Sequence, residues 1–243
     1  TNGGSALGLS SNSTTAQIGN LTISADGDIS LNGGTVAGTR IGQPAALVGG
    51  GDISVTSIGG NIALSGNATT GGNIRTTGNV TLHADSAGKS ISQGANSIIQ
   101  ANTLTATANS GITLNGNNLV TNFNATNTTL NGIQFTEAAG SLLTVTGISQ
   151  SGGNVIITAD DLDITGAVNA GVNTVTLRPT TLAQNINIES AVTGGMSLSP
   201  TDLSFVTAGI LEIGRSDSTG LLTVSTPIAN SNINASTTLR LLA

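Results

Sequence analysis

The stretch Gly111-Ile112-Thr113-Leu114-Asn115-Gly116 contains, in six residues, the pattern that recurs along the chain. Two apolar residues that favour β-structure flank one small polar residue, and Gly or Asn stands on either side. Because the side chains of a strand alternate between its two faces, such a unit points both apolar side chains one way and the polar side chain the other. The pattern predicts short strands that bury one face and are joined by tight turns.

The apolar members of these units are predicted to form the core, facing inward while the polar residue between them faces outward. They are aliphatic throughout, without the large aromatic side chains that often anchor β-sandwich cores. The residues predicted to form the core are Ile23, Ile29, Leu31, Ile53, Val55, Ile62, Leu64, Val80, Leu82, Ile112, Leu114, Val175, Leu177, Ile186, Ile188, Leu222 and Val224.

Turn signals and the spacing between units decide how the strands are arranged. A spacing of roughly 8 to 13 residues fits a sandwich or a solenoid. No segment has helical periodicity, and the turns at 59–61, 71–73 and 152–154 have the sequence Gly-Gly-Asn, whose residues tolerate the left-handed backbone of sharp corners. With three strands per coil and about 20 to 25 residues per coil, the chain is predicted to be an all-β parallel β-helix, a solenoid of roughly ten coils about 50 Å tall.

The solenoid is predicted to run through residues 1–243 as one continuous segment, because no shift in composition divides the chain. Two parts break the rhythm: an irregular start is expected at 1–20, and a protruding loop around 32–51, which contains Pro44. Residues 115–131 are rich in Asn and Thr and are expected to form an Asn-lined corner that includes Phe123.

Composition excludes several classes of function. Gly, Asn, Ser and Thr make up about half of the 243 residues, charged residues 7% and aromatic residues 1%. The absence of Cys excludes disulfides and cysteine chemistry, and a net charge of -6 with six Lys and Arg argues against nucleic acid as a partner. With one His and no Trp or Tyr, we expect a protein that is not an enzyme and needs no cofactor.

Several stretches resemble the repeats of filamentous haemagglutinin-like large exoproteins. They are GGNIALSGNATTGG at 59–72, GITLNG at 111–116, GGNVIIT at 152–158 and LEIGR at 211–215, and the likeness extends from about Leu21 to Leu242. The resemblance implies a right-handed parallel β-helix, two-partner secretion through an outer-membrane partner of a Gram-negative bacterium, and an extracellular or cell-surface location. It also implies a role in adhesion, biofilm formation or toxin delivery, with a host or surface glycan as receptor.

The acidic cluster Asp160-Asp161-Leu162-Asp163 is the first candidate site, because paired carboxylates perform acid/base chemistry on polysaccharides or bind calcium. Asp161 and Asp163 share one face of a strand, and a solvated corner is the structural alternative. Asp26 and Asp28 have a loose calcium-like spacing that is also typical of a turn. These four residues are weak metal candidates, and no metal site is assigned.

Two further patterns have a functional and a structural interpretation. His83 stands two residues before Asp85, where an imidazole and a carboxylate can pair, although no G-x-S-x-G motif accompanies them and an exposed histidine at a strand end is the simpler interpretation. The Thr-x-Thr units at 103–105 and 174–176 are similar to ice-binding threonine arrays, but they do not recur at a coil period. Several Asn-x-Ser/Thr triplets permit glycosylation without indicating it.

The sequence therefore supports two hypotheses of different classes. The first is a non-enzymatic extracellular β-helical shaft or filament segment. It begins in Gly/Ser-rich sequence and ends in the apolar run 238–243 without a cap, so further coils of a longer chain or end-to-end self-assembly into fibres are expected. The alternative is a carbohydrate-binding or polysaccharide-cleaving β-helix that uses the Asp160–Asp163 cluster.

Overall fold

The computed structural model of the chain describes residues 7–9, 19–32, 40–42, 50–65, 73–94, 96–189, 195–233 and 238–243. Strands dominate this part, together with one short helix, α1 (Pro200–Ser204), and a single 3-10 turn at Asn230–Asn232. No helix within these residues is long and apolar enough to cross a membrane. The strands are β1 (Leu7–Leu9), β2 (Leu21–Ala25), β3 (Ile29–Asn32), β4 (Arg40–Gly42), β5 (Ile53–Ser57), β6 (Ile62–Ser65), β7 (Asn73–Arg75), β8 (Asn79–Ala84), β9 (Ile91–Gln93), β10 (Ile99–Ala108), β11 (Ile112–Asn127), β12 (Ile133–Glu137), β13 (Leu142–Gln150), β14 (Val155–Thr158), β15 (Asp161–Ile164), β16 (Val168–Asn169), β17 (Thr174–Arg178), β18 (Ile186–Ile188), β19 (Met196–Leu198), β20 (Val206–Thr207), β21 (Ile210–Gly214), β22 (Leu222–Val224) and β23 (Thr238–Leu242).

The strands stack in parallel, each on the strand one coil earlier. Face 1 consists of β1, β3, β6, β9, the start of β11, β12, β14, β17, β21 and β23. Face 2 consists of β2, β5, β8, the second half of β10, the end of β11 and β13. The chain is a parallel β-helix, which confirms the predicted fold class, and the ten described strands of face 1 agree with the predicted number of coils. The right-handed sense stays a prediction.

Aliphatic side chains in register form the core. On face 1, Ile62 pairs with Ile91, and Ile91 pairs with Ile112, and all three are at most 1% exposed. Each such side chain contributes about 1.5–3 kcal/mol through burial. Backbone hydrogen bonds connect each coil to the next, so the stack satisfies its amides although no coil is thick enough to form a globular core alone.

Most of the predicted core residues are buried, and three depart from the prediction. Ile23 and Leu222 are only partly buried and pack against the core. The prediction that Val224 faces the core is wrong, since 45% of this residue is exposed. It lies on β22, an outer strand of the separate three-stranded sheet β19-β18-β22, where only β18 pairs with it. The predicted core residues that are buried are Ile29, Leu31, Ile53, Val55, Ile62, Leu64, Val80, Leu82, Ile112, Leu114, Val175, Leu177, Ile186 and Ile188.

Residues 115–131 differ from the expected Asn-lined corner. Most of them continue β11, whose register against β12 shifts between Leu114 and Asn118, so the chain bends inside the strand. Phe123 is fully buried and stacks on Phe135, with 4.2 Å between the ring centroids. The interior therefore contains aromatic side chains that the motif pattern did not predict.

The two irregular segments expected from the sequence lie largely outside the described residues. Of the protruding loop expected at 32–51, Arg40–Gly42 forms β4 and pairs with β7. We call face 3 the stack that β4 and β7 form with the first half of β10 and the middle of β11. Of the irregular start expected at 1–20, Leu7–Leu9 forms β1 and pairs with β3.

Candidate functional site

Asn and Asp side chains at the start of strands connect successive coils. Asn20 Oδ1 accepts a hydrogen bond from the backbone N–H of Asp52 at 2.9 Å, and Asp52 Oδ1 accepts one from Asn79 N–H at 2.8 Å. On face 1, Asp28 Oδ1 accepts from Asn61 N–H at 2.6 Å, and Asn61 Oδ1 accepts from Ser90 N–H at 3.0 Å. In each case the donor occupies the equivalent position one coil later.

The same arrangement recurs in other parts of the helix, and we call the whole set the Asx ladder. Its acceptors satisfy backbone donors that would otherwise lack a partner where the chain enters a strand. Asn73 Oδ1 accepts from Ile98 N–H at 2.8 Å, Asn154 Oδ1 from Thr174 N–H at 3.0 Å and Asn185 Oδ1 from Leu221 N–H at 2.9 Å. The members of the Asx ladder are Asn20, Asp28, Asp52, Asn61, Asn73, Asn154 and Asn185.

The Asx ladder gives Asp28, one of the weak metal candidates Asp26 and Asp28, a structural role. Asp28 performs the function that Asn61 performs in the next coil, and its Oδ1 also accepts from the Asn61 side-chain amide at 3.2 Å. Asp26 lies exposed in the preceding turn. No group of three or more His, Cys, Asp or Glu side chains within the described ranges could hold a metal ion. The Asp26 and Asp28 pair is therefore a turn in which one carboxylate connects coils.

The glycines before the Asx ladder are required for a reason different from the predicted one. Gly60, Gly153 and Asn61 do not have positive φ values, so the expectation of left-handed corners at these Gly-Gly-Asn turns is wrong for them. A Cβ on Gly60 would overlap the backbone of Gly27 and Asp28 in the preceding coil, and one on Gly153 would lie 2.5 Å from Gly132 N. The coils approach so closely at these points that only a residue without a side chain fits.

The structure divides the Asp160–Asp163 cluster into two parts. Asp160 is 4% exposed, and it accepts hydrogen bonds from Gly140 N–H at 3.0 Å, Thr181 N–H at 2.7 Å and Thr181 Oγ1 at 2.6 Å. It therefore bridges three levels of the chain as a structural acceptor. Asp161 and Asp163 lie on β15 with alternate residues buried, so they share its outer side as the sequence predicts.

Partial burial changes the acidity of both outward carboxyls. Desolvation raises the pKa of Asp161, against a hydrogen bond from Leu162 N–H. Desolvation is also the largest cause of the raised pKa of Asp163, followed by repulsion from Asp202 and Asp161. Chemically, the pair offers two weakened acids on one strand. Asp202 is itself engaged in the capping box of α1, where the N–H of the N-cap residue Ser199 donates to its Oδ2 at 2.7 Å.

His83 and Asp85 form the predicted local pair, with 3.0 Å between Nε2 and Oδ1. The side chains are 37% and 52% exposed, and His83 lies on β8 in register between Thr56 and Thr107. In the part of the chain that the structure describes, no hydroxyl hydrogen-bonds to His83. The nucleophile of a triad is therefore not assembled at this pair.

The two Thr-x-Thr units lie on different faces and do not form one array. The unit at 103–105 is on face 2, where its neighbours are Asn79 and Asn122 in one column and Thr81 and Asn124 in the next. The unit at 174–176 is on face 1, where Thr176 pairs in register with Glu212. Threonine is thus interleaved with amides and charges, and the regular lattice of an ice-binding face is missing from the described strands.

Polar side chains inside the helix are the feature that sequence reasoning missed. Gln93 and Asn118 are buried and exchange two hydrogen bonds, Nε2 to Oδ1 at 2.8 Å and Nδ2 to Oε1 at 3.1 Å. Asn127 donates from Nδ2 to Gln150 Oε1 at 2.9 Å, and its Oδ1 accepts from Gly111 N–H. The available signal was a polar residue at an inward position of the motif, as in Ile91-Ser92-Gln93.

Glu137 lies next to the hydrogen-bonded pair of Gln93 and Asn118, because it pairs in register with Asn118. Its side chain is 1% exposed and accepts from Val120 N–H at 3.1 Å and 3.3 Å, one contact to each oxygen. Burial raises its pKa to about 8, and the Val120 hydrogen bond opposes this shift. The carboxyl is therefore largely neutral at pH 7.

Comparison with known proteins leaves the function to be inferred from this geometry. No protein-family model, no curated protein and no solved structure matches the chain.

Proposed function

We propose that the protein is a non-enzymatic extracellular shaft or filament segment, which provides length, rigidity and a surface for display. The observation that supports this most directly is the use of the Asn and Asp side chains. Hydrogen bonds from coil to coil are made by Asn61, Asp28, Asp52 and Asp160. Two of these residues, Asp28 and Asp160, belong to the candidate sites that the sequence suggests. Polar groups that connect one coil to the next stiffen the stack.

Regular stacking supports the proposal from a second direction. Parallel strands are about 4.8 Å apart, so nine steps between the ten face 1 strands give a rod of roughly 43 Å. The strands of each coil pair with strands of the neighbouring coils, so length increases by adding coils without redesign of the core. This is the architecture that a spacer requires.

The setting of this shaft follows from the resemblance to filamentous haemagglutinin-like exoproteins. We place the protein at or outside the surface of a Gram-negative cell, exported with an outer-membrane partner, in adhesion, biofilm formation or display, with a surface glycan as a candidate receptor. For assembly, further parallel coils are the natural partner, from a longer chain or from a second copy joined end to end into a fibre.

Distance measurement on the chain tests rigidity directly, because it contains no Cys that would react with spin labels. Ser24 and Asn169 are exposed and lie in one column of outward residues, six strand steps apart, or about 29 Å. Ser24→Cys with Asn169→Cys should give a narrow distribution near that value. Thr56→Cys with Asn169→Cys, five steps apart, should be shorter by about 5 Å. A broad distribution for both pairs contradicts a rigid shaft.

Deletion of one coil tests whether length itself is the function. Ile112 and Ile133 are equivalent positions, and Gly111 and Gly132 precede them. Removing residues 112–132 should leave a folded rod whose Ser24 to Asn169 label distance falls by about one step, roughly 5 Å. Loss of folding, or an unchanged distance, contradicts a modular spacer.

A polysaccharide-cleaving or carbohydrate-binding β-helix is the second proposal, favoured by one observation. Asp161 and Asp163 share the outer side of β15 and both have raised pKa values, as acid/base carboxyls often do. If it is right, Asp161→Asn with Asp163→Asn abolishes a measured glycan cleavage, whereas Asp85→Asn does not. Cleavage that survives the double substitution eliminates this site.

A further inference from the structure

The outer side of face 1 has a notch where one column of side chains is interrupted. In this column Thr158 pairs with Arg178, and Gly214, which follows the partner of Leu177, pairs with Leu242. Gly214 has a φ of +100°, and a Cβ there would overlap the carbonyl oxygen of Leu242. The position has to remain without a side chain, and the space above it opens into a groove of about 350 Å³.

Charged side chains surround this groove, and the carboxylates among them already have cations. Asp217 forms a two-point ion pair with Arg215, 2.6 Å from Nε to Oδ1 and 3.0 Å from Nη2 to Oδ2. Glu212 Oε2 lies 2.7 Å from Arg240 Nη1. These pairs use both nearby negative charges.

Arg178 is the cation that remains. Its Nε donates to Thr158 Oγ1 at 3.1 Å, and no carboxylate among the described residues forms an ion pair with it. Desolvation lowers the pKa of Arg178, and the positive charge of Arg215 lowers it further, while the carboxylates of Asp217 and Glu212 oppose the shift. A half-buried guanidinium beside a second guanidinium is stabilised when an anion binds. The chain has a net charge of -6, whereas this groove contains a positive charge without an ion-pair partner.

We propose that the groove over Gly214 binds a hydroxylated monocarboxylate of sugar-acid size, with Arg178 as the partner of the carboxylate. The fork of a guanidinium matches the two oxygens of a carboxylate. The groove volume is at the lower end of small-molecule sites. Thr176 Oγ1 and Glu212 Oε1, 3.5 Å apart, line the same groove and can bond to ligand hydroxyls. This site does not depend on the shaft proposal.

Titration of the full 243-residue chain with glucuronate, followed by the backbone amide signals of Gly214 and Arg215, tests the site. Saturable shifts are expected. Arg178→Gln should weaken binding about tenfold or more, because a charge-assisted pair is lost. Lys89→Gln removes one positive charge elsewhere and should leave the affinity unchanged. Arg178→Lys keeps the charge without the fork, so its affinity should fall between those of the parent chain and Arg178→Gln.

Two neutral or truncated probes separate the components of recognition. Glucose, which lacks the carboxylate, should not bind, and acetate, which lacks the hydroxyls, should bind more weakly than glucuronate. The proposal is overturned if no saturable shift occurs, if Arg178→Gln binds as the parent chain does, or if glucose saturates the same signals. Should Arg178→Gln unfold, Arg178→Lys decides, because binding equal to that of the parent chain then rules out the fork.

Discussion

The middle of the molecule, from β9 to β17, and the C-terminal part, from β18 to β23, build the same helix from different amounts of chain. In the middle, Ile91, Ile112, Ile133, Val155 and Val175 follow one another on face 1 at steps of 20 to 22 residues. In the C-terminal part, the steps from Val175 to Leu211 and on to Leu239 are 36 and 28 residues.

The additional residues leave face 1 unchanged and alter the rest of the coil. Between β17 and β21 the chain adds β18, β19 and α1, and β19, β18 and β22 form a separate sheet. Strand β12 in the middle is buried at alternate positions, whereas β22 in the C-terminal part has no buried residue. Face 1 therefore continues through coils of different length, although the rest of the coil changes.

A charge in the core should distinguish the two regions most strongly. Ile112→Asp buries an unpaired carboxylate in the middle and should cost on the order of 5 kcal/mol or more, enough to unfold the chain. Val224→Asp places the same charge on an exposed strand and should cost about 1 kcal/mol or less. Urea denaturation of both variants measures the difference. Equal losses would mean that the exposed sheet is as tightly packed as the middle.

Glu137 should make the stability of the middle region depend on pH. Its folded pKa of about 8 lies above the ordinary 4.5, so the folded state retains a proton that the unfolded state releases. Unfolding free energy therefore falls as the pH rises between these values, by on the order of 3 kcal/mol from pH 5 to pH 8. Glu137→Gln should remove this slope. A parent chain whose stability is flat over that range contradicts the buried neutral carboxyl.

Loss of one Asx ladder contact should have a moderate effect in both regions. Asn154→Ala in the middle leaves Thr174 N–H without its acceptor, and Asn185→Ala in the C-terminal part does the same to Leu221 N–H. Each should cost about 1 to 2 kcal/mol. Asp28→Asn retains the accepting oxygen and serves as the control, with a change below about 0.5 kcal/mol. Thermal unfolding curves rank the three, and a control as damaging as the Ala variants would refute the ladder.

The smallest effect should come from the exposed His83 and Asp85 pair. Its atoms are 3.0 Å apart, but both side chains are well exposed to solvent. Asp85→Asn should change the unfolding free energy by less than about 0.5 kcal/mol, because exposed polar pairs contribute little. A loss of about 2 kcal/mol in a denaturation experiment would show that the pair contributes substantially to stability.

Strand positions and the inward side of each strand could be predicted because they depend on local alternation. Ile62, Leu64, Ile112 and Leu114 are buried as the motif predicts. Gln93 and Glu137 could not be assigned in this way, because their polarity conflicts with their inward position. Only the bend of β11 between Leu114 and Asn118 shows that the Asn118 side chain satisfies Gln93.

The candidate site was predicted less completely than the fold. Alternation placed Asp161 and Asp163 on one outer side, and proximity in sequence paired His83 with Asp85. The functions of Asp28 and Asp160 depend on residues 33 and 21 positions away, Asn61 and Thr181 respectively. The alternation of apolar and polar residues within a strand does not show which residue lies one coil away, because the coils differ in length.

By itself, the sequence determined that this chain forms short parallel-stacking strands with an aliphatic interior, because alternation and turn residues act over a few positions. The tertiary structure decided the partners one coil away: the Asx ladder, the close approach at Gly60, the stacking of Phe123 on Phe135 and the notch at Gly214. These contacts depend on how many residues each coil contains, from 20 to 36 between equivalent positions of β14, β17 and β21. That number fixes register between coils, and it becomes defined only when the coils stack.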